Sequence, residues 1–327
     1  MSNKVFDIVL LFALPASGKS EVRNYLANIP VETLRNEFHI GDNLQLDDFP
    51  YVFMMKRIDQ ELEKLNQEPI FYGSKGTTLI DERDWGTLVQ LLNDDYYDLV
   101  NQNVIKPLSA ATLLFNRFDN AGERVGIKPR MALLPTSIFN KLSEILEPEA
   151  RKMLEDKQHA YPQTMENKTI IIESARGGSD GAAMPLEDPF GYQYSLRQFC
   201  PEILKKASIL YIWVTPEESR RKNEDRNDPN DPGSNLHHSV PLEVMLKEYG
   251  CDDMEYLRDH SEAKDTITIK TYDEVYHLPI GVFDNRVDKT SFLRNEPKDW
   301  DQEKVEVVSK GIKEATDTMY ENYLKKA

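Results

Sequence analysis

The sequence predicts an α/β protein: a parallel five-stranded sheet covered by helices, interrupted by a long helical insertion. Three observations predict it. Short apolar runs rich in Ile, Val, Leu and aromatic residues stop abruptly at turn or polar residues, as strands buried on both faces do. Segments with helical spacing separate these runs, which is the alternation of βαβ units. Finally, residues 71–163 hold helical patterns without a clear strand, far more chain than an ordinary connection of about 2–6 residues needs.

In chain order, Val5–Leu14 is the first strand candidate, and a weaker one lies within Phe38–Leu46, before Asp47. Met55, Ile58, Leu62 and Leu65 recur at helical spacing, so Pro50–Gln67 is expected as an amphipathic helix packed on the sheet. The insertion carries "WGTLVQLLNDDYYDLVNQNVI" and "SIFNKLSEILEPEARKMLEDKQ". Thr169–Glu173, Ile209–Thr215 and Leu278–Phe283 supply the remaining strands, and Pro297–Ala327 reads as a charged closing helix. The expected organisation is therefore a core of residues 1–70 and 164–296, a helical subdomain at 71–163 and a C-terminal helix at 297–327. No internal repeat, coiled coil or low-complexity tract is evident. The stretch "RNDPNDPGSN", residues 226–235, is the most loop-like, because Pro and Gly interrupt both helix and strand there.

Composition narrows the classes of function. The 327 residues include 40 Lys+Arg against 56 Asp+Glu, a net charge of -16. That field disfavours nucleic acid and anionic lipid as partners. Cys200 and Cys251 are the two cysteines, too few for a disulfide framework. The first apolar run is too short to span a bilayer and lacks a basic leader with a cleavage site, so a cytoplasmic protein without a membrane partner is expected.

The stretch "FALPASGKS", residues 12–20, ends in Gly18-Lys19-Ser20, as a phosphate-binding loop does. Ala13 stands where the pattern G-x-x-x-x-G-K-[ST] has its first glycine. A strand run precedes the stretch and the helical "KSEVRNYLANI" follows. Backbone N–H groups at such a helix start point at phosphate oxygens. The candidate nucleotide-binding residues are therefore Leu14, Pro15, Ala16, Ser17, Gly18, Lys19 and Ser20. Lys19 would reach the β- and γ-phosphates and the Ser20 hydroxyl would bind Mg²⁺. A left-handed backbone at Ala16 would carry a strain of ~1–2 kcal/mol.

This loop resembles that of the P-loop kinases, in particular the small-molecule kinase and zeta-toxin-like branch, where G-x-P-x-S-G-K-S is common. Pro15, Ser17, Gly18, Lys19 and Ser20 match; Ala13 departs. The resemblance implies ATP or GTP with Mg²⁺ as cofactors and a five-stranded parallel P-loop kinase-like sheet. Beyond the loop it is one of element order, and it leaves out the insertion.

The resemblance also implies roles elsewhere. Glu173, ending the strand in "TIIIESARGG", is similar to the second acidic motif, whose carboxylate holds Mg²⁺ through water. Arg176 is placed like an arginine that contacts acceptor or phosphates, and Gly177, Gly178 and Gly181 would let that loop pass close to a ligand. The alternative there is a strand end with a surface ion pair. In "LQLDDFP", Asp47, with Asp48 in reserve, would bind or deprotonate the acceptor hydroxyl; alternatively Asp48 caps the following helix. Thr215-Pro216-Glu217-Glu218 is a capping box, so a helix begins there. Its arginines, Arg220, Arg221 and Arg226, would close over the phosphates as a lid. Against this, Glu217–Arg221 and Glu218–Lys222 have the spacing of ordinary solvated pairs. His237-His238 lacks a third ligand within sequence reach.

The expected function is a Mg-NTP-dependent phosphotransferase, a kinase acting on a small polar acceptor. One alternative is a GTPase or ATPase, because Asn285-Arg286-Val287-Asp288 faintly resembles the guanine-reading N-K-x-D and Asp188-Pro189-Phe190-Gly191 fits D-x-x-G. Another is a nucleotide-responsive protein whose insertion contacts a protein partner.

Overall fold

The computed structural model describes residues 5–73, 78–225 and 240–326. The chain begins with β1 (Ile8–Phe12), α1 (Lys19–Ala27), α2 (Val31–Glu37) and β2 (Asp42–Asp47). Four helices follow: α3 (Phe49–Lys64), α4 (Asp84–Asn101), α5 (Ala110–Arg124) and α6 (Thr136–His159). After β3 (Lys168–Ser174) come α7 (Gly191–Gln198), α8 (Pro201–Lys206), β4 (Ala207–Trp213), α9 (Pro216–Asp225), α10 (Leu242–Lys247) and α11 (Met254–Asp259). The chain ends with β5 (Thr266–Thr271), β6 (Glu274–Asp284) and α12 (Gln302–Lys326). Its contacts divide it into two compact units. One comprises Met1–Gln45, Asn167–Arg197 and Pro201–Ala327; the other comprises Leu46–Glu166 with Gln198–Cys200.

The first unit carries a six-stranded sheet in the order β2-β3-β1-β4-β6-β5. β1 pairs in parallel with β3 and β4, and β4 in parallel with β6. The five-stranded parallel sheet expected from the sequence thus gains a strand, β5, antiparallel to β6. Residues 266–277 alternate as a hairpin should, but the turn is Tyr272-Asp273, with φ of 54° and 56°. Hairpin turns with two left-handed residues usually announce themselves by Asn-Gly or Asp-Gly, and this one does not.

β1 is buried along its whole length, "IVLLF". Its two faces meet different partners, because side chains alternate along a strand. Val9, Leu11 and Ala13 join Val22, Tyr25 and Leu26 of α1 and Val308, Ile312, Ala315 and Met319 of α12 in one apolar cluster. α12 lies so close to β6 that a Cβ at Gly281 would stand 2.0 Å from the Ala315 carbonyl oxygen. On the opposite face Phe12 stacks on Tyr192 of α7, ring centroids 4.6 Å apart.

The second unit is helical. By its contacts α3 belongs here: Tyr51 Oη donates to Asp95 of α4 at 2.7 Å, and Arg57 to Glu149 of α6 at 3.0 Å. A repeat not evident in the sequence appears in this unit. Arg57/Arg117, Asp59/Asp119, Glu63/Glu123 and Pro69/Pro129 are identical pairs, each sixty residues apart. Asp59 accepts from the amides of Ile70, Phe71 and Tyr72, and Asp119 from those of Arg130, Met131 and Ala132. α3 and α5 also end alike. Gln67 N donates to Leu62 O and Ile127 N to Gly122 O, both at 2.9 Å. Asn66 and Gly126 take positive φ, 56° and 84°. Ion pairs then link the α3–α4 half to the α5–α6 half: Arg57 of α3 to Glu149 of α6 and Arg117 of α5 to Asp95 of α4. The apolar residues between the matched positions differ, which hides the repeat from a reading by pattern.

Candidate phosphate site at the end of the central strand

β1 lies between β3 and β4. From β1 the chain proceeds toward β2 at one edge, and from β4 toward β6 and β5 at the other. Ligand crevices of open α/β sheets form where the connections part in this way, outside the carboxyl ends of the strands. Residues 13–18 leave β1 at that place and lead directly into α1.

The loop turns through two left-handed residues, Ala16 at φ 57° and Gly18 at φ 102°. Gly18 is the N-cap of α1 and gives it no side-chain cap. A Cβ at Gly18 would stand 2.3 Å from Thr290 Oγ1 and 2.7 Å from Asn285 Nδ2, so only glycine fits between the helix start and the β6 end. The first amides of a helix have no intrahelical acceptor. Among the described residues the amides of Ser17, Gly18, Lys19 and Ser20 meet no other acceptor either. Lys19 and Ser20 are half-buried and their side chains have no protein partner there. Ser17 is 1% exposed and its Oγ has no hydrogen bond. A buried hydroxyl without a partner costs about 1–3 kcal/mol, and it sits in a loop whose donors are unfilled.

The loop is braced from three sides. Asn285 Nδ2, after β6, donates to Ser17 O at 2.6 Å, and Ser219 Oγ of α9 to Pro15 O at 2.7 Å. Tyr192 Oη of α7 donates to Ala13 O at 3.0 Å. Ala13 itself is fully buried in the cluster with Val22 and Leu210, so the methyl group that replaces the pattern's first glycine is core packing.

No family model, curated protein or solved structure matches the chain.

Glu173 is 3% exposed and accepts from Arg23 Nη1 of α1 at 3.0 Å through Oε1. Its Oε2 has no protein partner among the described residues. Glu173 lies opposite Leu11 of β1, on the sheet face that α1 covers. Arg176 is buried at 2% exposure, with Nη1 donating to Ala175 O. The glycines after it pass close to the protein's own backbone: a Cβ at Gly177 would stand 2.5 Å from Cys251 O. Asp47 and Asp48 belong to the helical unit. Asp47 Oδ1 accepts from Phe49 N at 2.9 Å, while Asp48, at the N-cap of α3, makes no side-chain cap.

On α9, Arg220 pairs with Asp180 at 3.1 Å, and the exposed Arg221 pairs with Glu218 and Asp225. Arg226 and His237-His238 lie outside the described residues. Lys222, expected to pair in solvent with Glu218, is instead 1% exposed and pairs with Asp288 at 2.7 Å. Burial lowers the Lys222 pKa, against the pull of Asp288. Burial also opposes ionisation of Asp288, yet Lys222 and Ser291 hold its carboxyl well below the usual range. The Asn285–Asp288 stretch, whose sequence faintly resembles a guanine reader, has Asn285 bound to the loop and Asp288 paired with Lys222. Asn285, Ser219 and Tyr192 as loop braces had no signal in the sequence beyond their residue types.

Among the described residues, no group of three or more His, Cys, Asp or Glu is placed to hold a metal ion. No helix among them is long and apolar enough to cross a membrane. The arrangement offers unfilled amide donors, a cation and two hydroxyls, which is the chemistry of a phosphate cradle.

Proposed function

We propose that the protein is a Mg-NTP-dependent phosphotransferase, a P-loop kinase that moves the γ-phosphoryl group of ATP or GTP to a small polar acceptor. One observation carries this reading: the buried, unpartnered Ser17 hydroxyl beside unfilled amides and the free Lys19, at the carboxyl end of β1. Lys19 and the loop amides bind the phosphates and stabilise charge on the group in transfer. Ser20 would hold Mg²⁺ directly, and Glu173 would hold it through water on Oε2. The ion supplies further neutralisation of the phosphate oxygens. Arg176 contacts acceptor or phosphate. Arg220 and Arg221 would reach the phosphates by exchanging their present carboxylate partners.

Thermal unfolding of the full chain with Mg-ATP and with Mg-GTP tests the reading. At a concentration of about 100 times the dissociation constant, the bound nucleotide stabilises the fold by about 2.7 kcal/mol. Lys19→Ala loses most of that gain and keeps the melting temperature of the unliganded protein. Equal responses in wild type and variant would remove the phosphate site.

A further inference from the structure

Asp252 is an acid that the phosphotransfer reading leaves unused. It stands just before α11, beside the bridge between Gly178 and Cys251. Its Oδ2 accepts from Tyr211 Oη at 2.8 Å and its Oδ1 from Met254 N at 2.9 Å. No lysine or arginine pairs with it among the described residues.

Its place follows from the sheet. Tyr211 of β4 lies opposite Phe12 of β1, and paired residues of neighbouring strands share a face. Phe12 stacks on Tyr192, whose hydroxyl donates to Ala13 at the start of the loop. Asp252 is near enough for its charge to act on Tyr192 as well as on Tyr211. The carboxylate is therefore set beside the strand end from which the loop departs, on the sheet face away from α1.

The groups around it make it a better base than a surface carboxylate. Burial pushes its pKa up to about 7; the Met254 amide and Tyr211 oppose that rise, and Asp253 and Glu255 add to it. Other titratable or charged neighbours are Tyr192 from α7, Arg176, which acts on Tyr192, and Cys251, on which Asp180 and Asp253 act as well as Asp252. A general base works best when it titrates near the ambient pH.

Building on the phosphotransferase reading, we propose that Asp252 is a catalytic base of this site and that the acceptor presents a hydroxyl to it. The carboxylate takes the hydroxyl proton. The freed oxygen pair forms a bond to the γ-phosphorus, and the bond from that phosphorus to the β–γ bridging oxygen breaks. Its electrons stay on the nucleoside diphosphate. Asp252, Asp253 and Glu255 beside a triphosphate repel anions, so the reacting end of the acceptor is neutral or cationic, as in an alcohol or amino alcohol.

Two measurements on the full chain test this. Mg-ATP affinity is followed with a fluorescent analogue over the range from about pH 5.5 to about pH 9. ADP release is followed with water as acceptor over the same range. In wild type the affinity falls as the pH rises through about 7, because ionised Asp252 repels the phosphates. Asp252→Asn flattens that dependence and lowers ADP release at least ~10-fold. Tyr211→Phe removes a hydrogen bond to the charged form, so it moves the midpoint to higher pH, a displacement that a purely structural tyrosine does not produce. The same pH dependence of affinity in wild type, Asp252→Asn and Tyr211→Phe overturns the assignment while nucleotide binding stands. Failure of wild type to bind at any pH, with Lys19→Ala indistinguishable from it, overturns both readings.

Discussion

Ala16 holds a methyl group where the backbone turns left-handed, φ 57°. Such a residue is strained by ~1–2 kcal/mol, while glycine there adds about 0.5–1 kcal/mol of unfolded-state entropy to lose. The balance favours Ala16→Gly by about 0.5–1 kcal/mol, seen as a rise in melting temperature with nucleotide affinity equal or tighter. A fall in both would mean that the methyl group is needed where it stands. The left-handed turn was legible in the sequence, because the spacing to Gly18 and Lys19 fixes where the loop must bend. Ala13 and Lys222 were less so. That Ala13 replaces a glycine harmlessly depends on Val22 and Leu210, which only the fold brings to it. Lys222 has helical spacing from Glu218, but which side of α9 faces inward is decided by Asp288, more than sixty residues away.

At the scale of elements, β1, β3 and β4 could be read directly, since a strand buried on both faces leaves an uninterrupted apolar run. Leu278–Phe283 of β6 could be read too, but β5 and the start of β6 could not, because Val275 and its neighbours near the turn are exposed and the turn residues are atypical. The same turn gives a prediction. Asp273 is exposed at φ 56°, and a glycine there removes a strain of ~1 kcal/mol from a type that prefers glycine at this position. Asp273→Gly raises stability by up to about 0.5–1 kcal/mol in denaturant unfolding, with an unchanged dependence on denaturant. A loss of stability would show that the Asp273 side chain contributes more than its backbone costs.

At the scale of the whole molecule, the helical insertion was legible as helices, but the matched ends of α3 and α5 were not. The matching rests on Asp59 and Asp119, residues that an apolar pattern does not register. Each is buried and satisfies three amides of the loop that follows its helix. Removing such an acceptor leaves buried donors unpaired, at about 1–3 kcal/mol each when fully desolvated. Asp59→Ala and Asp119→Ala therefore destabilise the protein by similar amounts, about 2–4 kcal/mol in denaturant unfolding. A large cost for one and none for the other would mean that the two turns are not equivalent.

The crossing pairs of the helical unit, Arg57–Glu149 and Arg117–Asp95, would be an intermolecular contact if the α3–α4 and α5–α6 halves were separate chains. Joined through residues 102–109, each half meets the other at a roughly millimolar effective concentration that dilution cannot change. A homodimer built on the same contacts would come apart as it was diluted and would have to keep both crossings alike. The tether lifts that requirement. One crossing lies inward, with Asp95 shared among Tyr51, Arg117 and Lys157, while Glu149 of the other is 38% exposed. Asymmetry of this kind is open to a chain that carries its own mate.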